Sequence, residues 1–290
     1  MHTKFLSALL LFGLLAVFTS AASAAQPAGQ IQSARVRGEA YAIDKVSNAR
    51  TDLGEGTKIS QGSIITTGKG SSVVLIFSNG AMLSLGNDSV LDIETFTQDP
   101  FKTAFDASTV KAEPSASTTK LNLTKGELVS RVAKLNTRGG STFTVSTPVG
   151  AAGIRGTVFR IVYRPDGAGH ATFSLVTLEG RVLVTLAKGV VNAPPVEVTA
   201  GKEVAVTAEV KVDASGAVTV VLPSGASVPV ATTATSGSTA AVAAEADTIA
   251  QAVINVVVPS SPPAPTPVTP PPAPTTPVQP VNTSIVSPSS

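Results

Sequence analysis

No cysteine and no tryptophan occur in the 290 residues. Without cysteine there are no disulfides, zinc-thiolate sites, cysteine nucleophiles or lipid-modified cysteine behind a leader, so stability must come from a packed core. Aromatic residues make up only 4 % of the chain, and charged residues 14 %. Histidine occurs only at His2 and His170. Behind the leader, His170 alone cannot make a two-histidine metal site, and a Ser-His-Asp set would have to use it. No Gly-x-Ser-x-Gly elbow is present. The formal net charge is +2, too small for a general pull toward polyanions. Together with the missing pattern of stacking aromatics, it argues against a nucleic-acid partner. These absences leave no catalytic residue, no metal ligand set and no cofactor motif to name. What is abundant is Val, Ile, Leu, Thr and Ala, a composition that favours strands.

Lys4 precedes an apolar run of 14 residues, Phe5 to Phe18, and small residues follow at Ala22-Ser23-Ala24. The pattern predicts a signal peptide over 1–24, cleaved near Ala24/Ala25, and a periplasmic or secreted chain. The run falls short of the roughly 20 residues a bilayer span needs. No later segment reaches that length, so no membrane span is expected after signal removal.

From Ile31 to Leu222 short alternating runs are cut by Gly, Asn and Asp. This is the pattern of an all-β domain of short antiparallel strands. Asn79-Gly80 and Gly86-Asn87 join apolar runs, and Asn-Gly is the strongest short hairpin signal because both residues tolerate positive φ. In "LDIETF" the alternation sets Leu91, Ile93 and Thr95 against Asp92, Glu94 and Phe96, one face buried and one wet. Residues 97–119 are polar and irregular and read as an exposed loop insertion. Pro165-Asp166-Gly167 and Asp213-Ala214-Ser215-Gly216 are turn chemistry. Gly followed by a charged residue recurs at Gly38-Glu39, Gly126-Glu127, Gly180-Arg181 and Gly201-Lys202, without a fixed period. Beyond a linker at 223–238, residues 239–258 are predicted to hold a short Ala-rich helix that docks weakly, with Val242, Ala246, Ile249 and Val253 at helical spacing. From Pro259 to Ser290 there are twelve prolines and no charge, the composition of an extended or disordered spacer.

The stretch "VSTPVGAAGIRGTVFRIVY" (145–163) concentrates glycine. Pro148 ends the strand before it. A strand follows it, whereas a phosphate cradle needs a helix whose N-terminal amides meet the anion. The glycines therefore read as positions of close backbone approach or positive φ where two strands cross. Arg155 reads first as a partly buried arginine tying loop carbonyls together, and second as an exposed arginine at a ligand or partner surface.

Residues 120–164 hold eight basic residues and one acid, Glu127, whereas 165–290 hold four basic and eight acidic. The basic segment, solvated strand faces at its plainest, also suits an anionic partner. The binding candidates are Arg131, Lys134, Arg138, Arg155 and Arg160, and the partner expected is an envelope protein or an anionic polysaccharide. Two alternatives stand beside this one. The chain is a structural spacer working through its Pro-rich tail, or it is a hydrolase using the carboxylates Asp92 and Glu94, which share a strand face. That face is the wet one, so a solvated strand face is the plainer account of the pair. Asn87-Asp88-Ser89 offers oxygens to calcium but lacks the acidic cluster calcium needs.

"TPVGAAGIRGTVFRI" resembles the closing motif of FecR-type domains, carried here by Thr147, Pro148, Gly150, Gly153, Arg155, Gly156, Thr157 and Phe159. "LGEGTKISQGSIITTGKGSSVVLIFSNGAMLSLGNDSVLDI" and "LNLTKGELVSRV" resemble the first half and the middle strand of the same family. The resemblance covers roughly 35–210. It implies a twisted β sandwich or roll in an extracytoplasmic module. Known regulators of this family relay a signal from an outer-membrane transporter to a sigma factor. Here no cytoplasmic region precedes the apolar run, so the resemblance implies the fold and the setting without that anti-sigma region.

Overall fold

A computed structural model describes residues 27–187, 194–212, 218–224 and 226–261. The expected signal peptide, the 213–216 turn and nearly all of the Pro-rich tail lie outside the described residues. The strands are, in order, β1 (Ile31–Arg37), β2 (Ala40–Asp44), β3 (Arg50–Asp52), β4 (Lys58–Ile59), β5 (Ser63–Thr67), β6 (Ser72–Phe77), β7 (Met82–Leu85), β8 (Val90–Gln98), β9 (Phe105–Asp106) and β10 (Ser117–Arg131). After a 3-10 turn at Thr137–Gly139 come β11 (Thr142–Thr147), β12 (Gly150–Ile154), β13 (Val158–Pro165), β14 (His170–Glu179), β15 (Arg181–Leu186), β16 (Val196–Thr199), β17 (Lys202–Val212), β18 (Val218–Val221) and β19 (Thr232–Thr233). The helix α1 (Ser236–Ala252) and β20 (Val257–Val258) complete the chain.

The strands form two layers. The first runs β3-β2-β5-β8-β10-β11-β12-β15-β16. The second runs β4-β1-β6-β7-β10-β13-β14-β17, with β18 and β19 beside β17. One long strand, β10, belongs to both. Its first half pairs with β8 and β11, and its second half with β7 and β13. The corner is Gly126, at φ 103, where a Cβ would lie 2.0 Å from the Ser89 Oγ and 2.5 Å from its Cα. Only glycine fits there, so the bend between the layers is written in that residue.

The core lies between the layers. Leu83, Leu85, Leu91, Ile93, Leu121, Phe159 and Leu175 are all fully buried in it. Phe77 and Phe96 meet edge-on, with ring centroids 5.0 Å apart. The fold is the expected sheet-rich sandwich, with three local differences. The β10–β11 pair is parallel, because the chain re-enters the first layer beside the start of β10. Phe96 is fully buried and Thr95 half-buried, the reverse of the simple alternation. The cause is a register shift opposite Lys120–Leu121, which turns the end of β8 over by one residue. The third difference concerns the segment 97–119 and the helix.

That segment is not a wholly exposed loop. Its Phe101 and Ala107 are buried, and β9 pairs with β20. Together they form a platform for α1, which covers the outer face of the second layer over Val74, Ile76, Met82, Val129, Val158 and Val176. Val242, Ala246, Ile249 and Val253 are buried as their spacing required. Thr235 caps the helix, its Oγ1 accepting from the Ser238 N–H at 3.0 Å. The Ser84 hydroxyl donates to Glu245 and fixes the helix register. A second buried core thus replaces the weak docking expected. The outward residues of the first layer stay exposed or half-buried, and among the described residues no helix covers them.

Candidate functional site

On the outer face of the first layer, β11, β12 and β15 lie side by side. Their outward residues are small: Thr142, Thr144 and Ser146 on β11, Ala151 and Gly153 on β12. The Gly-Ala-Ala-Gly run, expected as a crossing between strands, is itself a strand with partners on both sides. Close approach holds at one end of it. A Cβ on Gly150 would sit 2.4 Å from the Thr185 carbonyl oxygen, and the Thr147 hydroxyl closes the preceding turn by donating to the Gly150 carbonyl at 3.1 Å. Gly153 differs, since nothing lies nearer its Cβ position than the Leu183 oxygen at 3.8 Å. Its bare backbone is the floor of a groove of about 530 Å³, walled by Leu183, Thr144 and the turn at Thr137.

The end of this groove is tightly built. Gly156, at φ 70, brings its Cβ position to 3.1 Å from the Lys134 Cα, and the Gly180 Cβ position lies 2.7 Å from the Gly156 oxygen. The Lys134 N–H donates to the Lys111 carbonyl at 2.9 Å. The turn carrying Arg138 is pinned by buried Glu113, which accepts from the Asn136 N–H at 2.6 Å, from the Ser117 hydroxyl at 3.0 Å and from the Ser141 hydroxyl. These contacts bring Lys111, Lys134, Arg138, Arg155 and Arg181 to one end of the sandwich. Arg181 pairs with Glu197 at 3.3 Å, while the other four make no ion pair among the described residues.

The five sequence candidates separate into two groups. Arg155 lines the groove, Arg138 follows the lining residue Thr137, and the Lys134 backbone lies against Gly156; all three are exposed. Arg131 pairs in register with Met82 and Val158, and Arg160 with Val129, which places both on the second layer. Arg160 is held by Glu127 at 2.7 Å, with Arg164 3.6 Å from the same carboxylate, so its charge is offset. Arg155 is exposed and bonds no loop carbonyl among the described residues, a correction to the first reading of that residue. It follows the last residue of β12, in a bend that continues to Gly156, and lines the groove. Of the remaining motif residues, Phe159 is in the core, and Thr157 is buried with its hydroxyl unpaired. Lys111 and Arg181 escaped sequence reasoning because only the pairing of distant strands brings them in. The one local signal was Leu183, a large apolar residue on the wet face of "RVLVTL".

The carboxylates do not form an acid–base pair. Asp92 is tied to Lys45 at 2.8 Å, and Glu94 stands exposed on the sheet. Exposed His170, the first residue of β14, lies 3.4 Å from Asp166, whose carboxyl is held below its ordinary range first by the His170 backbone N–H and then by that of Ala168. Among the described residues no group of three or more His, Asp or Glu side chains is arranged to hold a metal.

Residues 63–183, from β5 into β15, match the family model described as FecR protein. That span, less than half of the chain, is similar to a FecR domain. The match is narrower than the resemblance over 35–210, but it includes the Gly126 corner, the Gly150–Phe159 motif and most of the groove. Two crystal structures of a protein from Parabacteroides distasonis ATCC 8503, provisionally assigned as an anti-sigma factor, are similar at 13 % identity and a TM-score of 0.35. The alignment covers 54 % of this chain and 58 % of that one, less than two thirds of its length. No curated protein matches this sequence.

Proposed function

We propose that this chain is an exported, non-catalytic binding and sensing module of the cell envelope, and that it engages a protein or anionic polysaccharide partner at the basic end of the first-layer groove. The observation that carries this reading is exposed Arg155 in the lining of a groove on an uncovered sheet face, with exposed Arg138 next to the lining residue Thr137, neither having an ion-pair partner among the described residues. Unpaired like charges held together repel one another, and such clustering is repaid only when an anion neutralises it. The similarity of residues 63–183 to the FecR family supports a sensing role. Export rests on the leader pattern of residues 1–24. No helix among the described residues is long and apolar enough to cross a membrane. A non-catalytic role is supported by the pairing of Asp92 with Lys45 and the exposure of His170.

The test is retention of solubilised envelope components on the immobilised full chain at low and high salt. Wild type is expected to hold an anionic component whose retention falls with salt, and Lys134→Glu/Arg138→Glu/Arg155→Glu to lose it. Equal retention by wild type and the triple variant rules out the basic groove as the binding surface.

A further inference from the structure

Gly153 has no structural reason to be glycine. Its φ lies outside the left-handed region, and its Cβ position is clear to 3.8 Å. It sits inside a strand with partners on both sides, where glycine weakens the ladder through backbone entropy and gives neighbours nothing to pack on. Gly150, three residues earlier, is explained by the Thr185 carbonyl that presses on it. A strand glycine that neither conformation nor packing demands marks a place where something else comes close.

The surroundings say what kind of thing. Gly153 stands directly opposite Thr144 on one side and Leu183 on the other, on the outward face. Leu183 is 49 % exposed, an apolar wall without a partner. Arg155 follows on the same face two residues along, and Arg138 stands beside the lining residue Thr137. The acids nearby are Glu197, taken by Arg181, and exposed Glu179 at the end of β14. The site therefore combines a bare floor, one apolar wall and unpaired cations. Among the described residues no fully exposed aromatic ring stands at the groove to stack on a sugar: Phe143 is buried, and Tyr41, on another strand, lies beneath Arg50 at 3.7 Å.

Resting on the proposed binding role of this groove, we infer that its ligand is an extended acidic segment of a partner protein, with one apolar side chain seated over Gly153 against Leu183 and its carboxylates on Arg155 and Arg138. A polyuronate chain offers the carboxylates but nothing for the floor and the wall.

The experiment is fluorescence anisotropy of the full chain with three labelled probes. Two are twelve-residue peptides of Glu and Ser with a single central Leu or Ala, and the third is an oligogalacturonate of equal charge. Wild type is expected to bind the Leu peptide about fivefold or more tighter than the Ala peptide, the value of half-burying three extra carbons. Gly153→Val removes that preference without lowering the thermal midpoint, and Leu183→Ser reduces it by a route that leaves the strand glycine in place. Arg155→Glu weakens both peptides alike and keeps the ratio. Three results overturn the inference: a preference that survives Gly153→Val and Leu183→Ser, oligogalacturonate binding as tightly as the Leu peptide, or no peptide binding. If all anions bind through Arg155 without regard to the central residue, the acidic-peptide inference falls and the basic groove stands. If Arg155→Glu changes nothing, both fall.

Discussion

Alanine at Gly150 and alanine at Gly153 should act in opposite directions, although the two sites lie three residues apart on one strand. At Gly150 the new methyl would lie 2.4 Å from the Thr185 oxygen and 2.9 Å from the Leu186 Cα, both main-chain atoms of the paired strand. The closest comfortable C···O contact is about 3.3 Å, so β12 and β15 must part by about 1 Å locally. A ladder hydrogen bond stretched that far is lost. Overpacking costs about 1–3 kcal/mol and a lost hydrogen bond about 1 kcal/mol, while reduced freedom of the unfolded chain returns about 0.5–1 kcal/mol. The net is a loss of about 1–3.5 kcal/mol, which for a domain of this size lowers the thermal midpoint by about 2–14 °C. At Gly153 nothing opposes the methyl, so only the chain-entropy effect remains, and the midpoint should rise by about 1–4 °C. Thermal and urea unfolding followed by far-UV circular dichroism measure both variants, since the chain has no tryptophan to report by fluorescence. A fall for Gly153→Ala comparable to that of Gly150→Ala refutes the reasoning, because the bare floor would then be a packing requirement and its link to a ligand would go.

Gly126→Ala should be far worse than either, because positive φ and backbone contact with Ser89 coincide; soluble yield and circular dichroism should show loss of the fold, and a well-folded variant would mean the layers can turn elsewhere. Ile249→Ala empties a fully buried site beneath α1 and should cost about 2–5 kcal/mol in urea unfolding; a change under about 0.5 kcal/mol, ordinary for a surface site, would show that the helix is not docked. Glu113→Ala strands the donors on Asn136, Ser117 and Ser141 and should cost about 2–4 kcal/mol; it should also open the Thr137–Gly139 turn to hydrogen exchange, and unchanged protection there would contradict the staple. Acid should act through the surface aspartates. Asp88 is held below its ordinary range by the Lys125 ammonium, Asp44 by the Ser47 backbone N–H, and Asp106 by the Ser108 hydroxyl. Their folded values lie below the unfolded ones, so the stability they contribute is complete above about pH 4 and is lost as pH falls through the folded values. Urea midpoints should therefore be flat through mildly acidic pH and drop beneath it, with a smaller drop in Asp88→Asn; a decline already complete above pH 5 would point to another group.

Features set by one residue's own backbone or by a short spacing were legible in the sequence. Asn79-Gly80 makes the β6–β7 hairpin because a left-handed turn needs such residues wherever it occurs. The Gly-plus-charge echo at Gly38, Gly126, Gly180 and Gly201 marks positive φ at all four positions. The helical spacing of Val242, Ala246, Ile249 and Val253 found its buried face. Features set by a neighbouring strand were not legible. Phe96 turns inward because β10 shifts register opposite it. Gly150–Ile154 is a strand because β11 and β15 offer ladders on both sides, although its residues are poor strand formers.

The candidate site shows the same division more sharply. The basic richness of residues 120–164 is plain in the sequence, but β10 bends at Gly126 and sends that richness to two layers. Arg131 and Arg160 leave with the second layer, where Glu127, the segment's single acid, offsets Arg160. Arg155 stays at the groove with Arg138 beside its lining residue Thr137, while Lys134, backed onto Gly156, is bonded through its backbone to Lys111 from a segment that reads as an exposed loop. On the proposed reading, charge content along the chain suggests the chemistry of a partner, while strand pairing separates Arg131 and Arg160 on the second layer from Arg155 in the groove.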